Sequence, residues 1–199
     1  ADPPPGILVP LGSDYQADTM QLFARAAAER SPNDSVLILV IPITYSLDAY
    51  ETKNSERKRN LSLAENRTQQ VEDACNAVKD ADQVCDAQLV PVLIRPDASL
   101  PSNLAYFTED VDGMYVLGGD QTVAMQVVAG TLVEEAMAAA YERGAVFGGN
   151  SAGDAVQSRN MINGYTAGNG YTESLRKDAV DVWTDDGPDD LTRGLNFGM

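Results

Sequence analysis

Gly149-Asn150-Ser151-Ala152-Gly153 carries the G-x-S-x-G spacing, with an apolar run before it and the helix-capable stretch DAVQSRNMI after it. In that setting a serine sits at the apex of a sharp strand-to-helix turn. Its hydroxyl is pushed clear of the sheet, and its neighbours must be small because the backbone passes close to other segments. The chemistry such a turn serves is nucleophilic attack on an acyl carbon. The Ala152 N–H, at the start of the next helix, would face the developing oxyanion, aided by the helix dipole. A second donor is needed, and Gly118-Gly119, closing another apolar run, supplies a backbone N–H if the two strands are neighbours. Each residue also has a plainer reading. Ser151 fits the N-cap of the helix that follows, Asp154 fits a first-turn acid favouring that helix N-terminus, and Asp120-Gln121 fits another helix cap.

Composition narrows the chemistry further. The 199 residues contain no histidine, so they hold no Ser-His or Cys-His pair and no zinc site that needs imidazole. No segment fits G-x-x-x-x-G-K-[ST], so nucleotide hydrolysis has no support. Neither a metal nor an organic cofactor is expected. Fourteen Lys and Arg against 30 Asp and Glu give a net charge of −16. That balance repels nucleic acid and anionic membranes and favours cationic partners. The longest apolar stretch, Val36 to Ile43, is too short to span a bilayer. Lys177, the nearest lysine in sequence to Ser151, reads as an exposed side chain rather than a base. Cys75 and Cys85 are compatible either with a disulfide, if the protein is exported, or with two ordinary thiols. Export or a periplasmic location is the expectation, although ADPPPG at the start has no signal-peptide pattern.

The elements that must position these residues follow from hydrophobic periodicity. Ile7 to Leu11 reads as a strand ending in Gly12-Ser13-Asp14, and Thr19 to Glu29 as an amphipathic helix with Met20, Phe23, Ala24 and Ala27 on one face. SVLILVIPI has the continuous β-branched character of a strand buried on both faces. Ser55 to Asp80 is polar and helix-permissive. Ala87 to Ile94 returns to strand, with Pro91 arguing for an edge or a bulge. Gly113 to Leu117 is a further strand, Gln121 to Arg143 reads as one helix, and AVF before Gly148-Gly149 as another strand. From Asn163 onward the pattern weakens into a Gly- and Asp-rich loop region. Alternating strands and helices predict a single three-layer α/β domain over residues 1–199 with a largely parallel sheet. Such sheets carry their ligand chemistry beyond the carboxyl ends of the strands.

IPIT after the second strand, then YVLGGDQT, FGGNSAGDAV with MINGY, and TRGLNF together resemble the cyanophycinase and aspartyl dipeptidase family of serine peptidases, family S51. The likeness runs from Ile7 to Phe197 and is weaker over Asp48–Val84 and Tyr165–Leu191; GGDQ is more like the cyanophycinase branch. The resemblance implies a class I glutamine amidotransferase-like fold, Ser151 as nucleophile, and an oxyanion hole from the Ala152 N–H and an N–H of Gly118 or Gly119. It places Gln121 at the substrate and has Asp120 and Asn150 shaping the site. Hydrolysis next to aspartate is implied, at β-linked Asp-Arg units in the cyanophycinase branch. The implied partner is a peptide, arginine-rich in that branch, and a homodimer is compatible with the reading. Two departures matter. Asp154 stands where the family usually has a small residue, adding negative charge beside the nucleophile and altering substrate choice. The family's base is a histidine just downstream of the segment matched by TRGLNF, where only Gly198 and Met199 remain. The expectation is therefore a serine peptidase whose histidine is carried outside this chain, on a continuation or a companion polypeptide. The alternative is an inactive relative that binds a peptide or an arginine-rich ligand.

Overall fold

The β-branched run after Asp34 becomes the interior of a five-stranded parallel sheet, where it is buried from both sides. In the computed structural model, residues 5–12, 14–166, 168–170, 172, 176–184 and 193–195 are described. The strands are β1 (Leu8–Pro10), β2 (Ser35–Ile41), β3 (Val84–Leu89), β4 (Val111–Val116) and β5 (Val146–Gly149), in the spatial order β1-β5-β4-β2-β3. Alternation along β2 sends Val36, Ile38 and Val40 to one face and Leu39 and Ile41 to the other, and each set joins a separate core. The helices α1 (Ala17–Arg30) and α2 (Asn54–Asn76) cover the first face. The helices α3 (Pro101–Leu104), α4 (Gln121–Val128) and α5 (Leu132–Glu142), with a 3-10 turn at Arg95–Ser99, cover the second. The expected three-layer α/β architecture is thus present.

Registers align the ends that matter. Pro10 pairs with Gly149, Gly149 with Val116, and Val116 with Ile41, so β1, β5, β4 and β2 stop at one level. Their following loops meet on a single rim. Gly113 and Gly148 admit Phe23 from α1, since a Cβ on either would press on its ring. Phe23 then packs edge-on to Tyr115 at 5.1 Å, fixing α1 beneath that rim.

Three expectations are corrected. Gln121–Arg143 is two helices meeting at 98°, not one. The break falls at Ala129-Gly130-Thr131, where Gly130 has φ +67 and the Thr131 hydroxyl accepts the Glu134 N–H to start α5. The third strand ends at Leu89, before Pro91, although Val90, Val92 and Leu93 stay buried. The segment after the serine turn is helical only over α6 (Ala152–Ala155). It then forms an antiparallel hairpin of β6 (Met161–Tyr165) and β7 (Val180–Trp183) where a loop was expected.

Cys75, at the end of α2, and Cys85, in β3, form a disulfide, which decides between the two readings of that pair.

Candidate active site

Ser151 links β5 to α6 with φ 53 and ψ −115. A non-glycine residue in that region carries about 1–3 kcal/mol of strain and persists only where its surroundings over-determine it. Here they do. The Ser151 N–H donates to the Gly12 carbonyl, Gly153 N–H to Asn150 O at 2.9 Å, and Ala155 N–H to Ser151 O at 2.9 Å. The flanking glycines answer to contact rather than to torsion. A Cβ on Gly149 would overlap the Gly153 carbonyl, and one on Gly153 the Val116 carbonyl, pushing the turn off β4. The spacing G-x-S-x-G is therefore what lets this turn lie flat against the neighbouring strand.

The structure brings the second glycine-rich end to the same place, because β4 and β5 are adjacent and parallel. A Cβ on Gly118 would stand 3.2 Å from the Ser151 Cβ. The two glycines are not equivalent. Gly118 N–H is already shared between the Tyr15 hydroxyl at 2.9 Å and Asn150 Oδ1 at 3.2 Å. Gly119 is exposed at the rim, and among the described residues neither its N–H nor that of Ala152 meets an acceptor. Gly119 packs so closely on Thr44 that a side chain would overlap the Thr44 carbonyl, which ties the β4 loop to the β2 loop.

The other expected residues divide by what their side chains touch. Asn150 is 2 % exposed and clamps the Gly118 turn to the serine turn, with the Tyr115 hydroxyl 3.4 Å from its Oδ1. Asp120 caps α4, its Oδ1 accepting from Thr122 N–H at 2.8 Å and Val123 N–H at 3.2 Å, so its plainer reading describes what the carboxylate does. Gln121 donates from Nε2 to Ile162 O at 3.0 Å and so holds the β6 strand to α4. Asp154 is half-buried, and its carboxyl is raised above the ordinary aspartate value by burial, partly offset by a hydrogen bond from the Gly12 N–H. Lys177 is exposed just before β7.

A tyrosine cluster supports this site, and nothing in the spacing of the motifs marks it. Tyr15 lies 3.4 Å from the Tyr45 hydroxyl, and the Arg67 guanidinium sits 3.7 Å over the Tyr15 ring. Desolvation pushes the Tyr45 and Tyr115 hydroxyls well above their ordinary range, so both stay protonated donors. The residues come from the β1 loop, the β2 loop, α2 and β4, which explains why local sequence could not assemble them. Two clefts flank the serine turn. One, of about 390 Å³, is lined by Ser151, Asp154 and Gln157 against Leu8 and Pro10. The other lies between the β2 and β4 loops and includes Thr44, Ser46, Arg59, Gly118 and Gly119. This second position is where neighbouring strands send their helices to opposite faces, the usual place for ligands in open α/β sheets.

A sequence model of peptidase family S51 matches residues 60–181, which include the Gly118-Gly119 turn and Ser151. The chain belongs to peptidase family S51. Among solved structures, a peptidase from an acI-B1 actinobacterium is similar with a TM-score of 0.62 and 17% identity, over 97% of this chain and 65% of that one. A peptidase E protein from Listeria monocytogenes EGD-e is similar with a TM-score of 0.51 and 17% identity, over 98% of this chain and 76% of that one. These likenesses bear on the fold. The chain spans just under two thirds of the length of the actinobacterial peptidase. No curated protein matches the sequence. Thr192, Asn196 and Phe197 of the TRGLNF segment, and the expected place of the base beyond them, lie outside the described residues.

Proposed function

We propose that this chain is the nucleophile-bearing part of an S51 serine peptidase of the cyanophycinase type, cutting β-Asp-Arg peptide bonds with a histidine supplied from outside the 199 residues. The observation that carries the reading is the strained Ser151, held at φ 53 beside the Gly118-Gly119 turn. In the first half-reaction the Ser151 hydroxyl attacks the scissile carbonyl carbon and loses its proton to the external imidazole. The oxyanion that forms is met by the Ala152 and Gly119 N–H groups, while Gly118 N–H stays with Tyr15 and Asn150. Collapse breaks the C–N bond, and the imidazolium returns its proton to the leaving amine. Water then cleaves the Ser151 acyl ester with the same base, regenerating the serine.

Two features support an external base. The chain holds no histidine. Arg193-Gly194-Leu195 runs beside the serine helix, with Leu195 N–H donating to Val156 O at 2.8 Å and Gly194 packed where any side chain would overlap the Ser158 carbonyl. The disulfide agrees with an oxidising compartment. Protein purified from its source is examined by mass measurement and by labelling with a phosphonate serine probe. A histidine-containing continuation or companion polypeptide, with label on Ser151, is expected. Activity from the isolated 199-residue chain overturns the external base. Absence of labelling when every native chain is present overturns the peptidase reading and leaves the inactive peptide-binding relative.

A further inference from the structure

The loop after β1 touches both turns of the site. Its Gly12 carbonyl accepts the Ser151 N–H, and a few residues further on the Tyr15 hydroxyl accepts the Gly118 N–H at 2.9 Å. Left-handed residues at Gly12 (φ +55) and Asp14 (φ 77) turn the chain between these two contacts. The Tyr15 side chain is itself held from two sides. The Arg67 guanidinium, carried on α2, lies 3.7 Å over the ring, and the Tyr45 hydroxyl stands 3.4 Å from that of Tyr15.

The three peptide planes of the β4 turn are not secured alike. The Leu117–Gly118 plane is gripped at both ends: the Thr44 hydroxyl donates to Leu117 O at 2.8 Å, while the Gly118 N–H is taken by Tyr15 and, at 3.2 Å, by Asn150 Oδ1. The Gly119–Asp120 plane is tied by the Asp120 N–H, which donates to Thr44 O at 3.0 Å. Between them, among the described residues, neither the Gly118 carbonyl nor the Gly119 N–H has a hydrogen-bond partner. With no Cβ on either side, that middle plane rotates at little cost. Rotation would put the Gly118 carbonyl, an acceptor, where an oxyanion needs the Gly119 N–H. Its orientation is therefore inherited from the planes that flank it. We propose that Tyr15 is a positioning residue for the oxyanion hole: its hydroxyl fixes the Leu117–Gly118 plane so that the next plane presents the Gly119 N–H, and its loop sets that donor against the serine turn. The role rests on Ser151 being the nucleophile, and Tyr15 acts on the reaction only through Gly118.

Tyr15→Phe keeps the ring beneath Arg67 and removes only the hydroxyl. In the complete enzyme, with every native chain present, kcat on a β-Asp-Arg dipeptide is expected to fall about tenfold with KM held within about twofold. That is less than the roughly 10²–10³-fold lost when an oxyanion donor itself is removed. The Ser151 adduct of a phosphonate probe places its phosphoryl oxygen in the hole, so its phosphorus NMR resonance is expected to move in the variant. Loss of stability alone does not move it. Arg67→Met leaves the hydroxyl in place but frees the ring, and is expected to lower kcat in the same sense by about threefold. An unchanged kcat in both variants overturns the proposal. So does a fall in kcat with an unmoved phosphorus resonance, since Tyr15 then only supports the fold. A parent enzyme whose Ser151 takes no label instead sinks the nucleophile reading, and the role of Tyr15 with it.

Discussion

At the scale of single residues the site is governed by contact distances as much as by polar chemistry. Gly153 faces the Val116 carbonyl with no room for a methyl group. Gly153→Ala is expected to cost about 3 kcal/mol or more, measured by urea unfolding, because the backbone of β4 cannot yield as a side chain would. Ser151→Ala should leave stability near that of the parent and, on the role proposed for Ser151, lower the turnover of the complete enzyme by about 10⁶-fold, as loss of a nucleophile does. Asp112 offers a test away from the serine. It is 7 % exposed, its Oδ2 accepts the Leu37 N–H at 2.9 Å, and burial holds its carboxyl above the ordinary aspartate value. With the folded value raised, the folded state binds more protons than the unfolded one above about pH 4, so this group's contribution to stability declines as pH rises through that window. Asp112→Asn keeps an acceptor for Leu37 and removes the ionisation. Its stability relative to the parent should therefore climb between pH 4 and pH 7, and a constant difference would show that burial of this carboxylate carries no penalty. The serine turn was legible because the residue types it requires lie within five consecutive positions. Tyr15, Tyr45 and Arg67 were not, since only the completed fold makes them neighbours.

At the scale of elements, the segments that pin the rim are short and tied down by cross-links rather than by length. The disulfide between α2 and β3 closes a separation of 10 residues and anchors the edge strand. Its reduction is expected to lower stability by about 3 kcal/mol, a fall in Tm of roughly 6–12 °C for a domain of this size. Arg193 and Glu134 pair through the two terminal guanidinium nitrogens, at 2.6 and 2.8 Å, with side chains 18% and 12% exposed. Glu134 also accepts the Gly130 N–H at 2.7 Å, so one carboxylate secures both the α4–α5 break and the segment approaching the serine helix. Arg193→Ala should cost about 2–3 kcal/mol, somewhat less than for a fully buried pair. It should also reduce turnover of the complete enzyme beyond what unfolding explains, if that segment delivers the base. The helix break illustrates what periodicity conceals. Val123, Val127, Leu132, Ala136 and Ala140 suggest one continuous face, yet Gly130-Thr131 supplies a left-handed residue and a cap in the middle of it. The β6–β7 hairpin escaped for the opposite reason, since MINGY and VDVW are short, half-polar and separated by glycine-rich residues. The parallel sheet was recoverable because its central strands are apolar on both faces.

At the scale of the whole molecule, the dominant property is a net charge of −16 from 30 acidic against 14 basic residues. Ion pairs among the described residues, such as Arg57–Asp97 and Arg193–Glu134, are local and cannot balance an excess spread over the surface. Self-repulsion of this kind destabilises the compact state, because unfolding moves like charges apart. Salt shortens its reach: the Debye length falls from about 30 Å at 0.01 M to about 10 Å at 0.1 M, from the size of the domain to less than half of it. The Tm at neutral pH is therefore expected to rise as sodium chloride is raised across that range and then to level off. Equal ionic strength from potassium chloride should act alike, since screening depends on valence and concentration rather than on the identity of the cation. A net charge of this sign attracts cations in general, so any association of a cationic peptide with the chain should weaken over the salt range in which the fold becomes more stable. Opposite responses of stability and binding to one variable distinguish a long-range field from local ion pairs, which would lose strength in both measurements together.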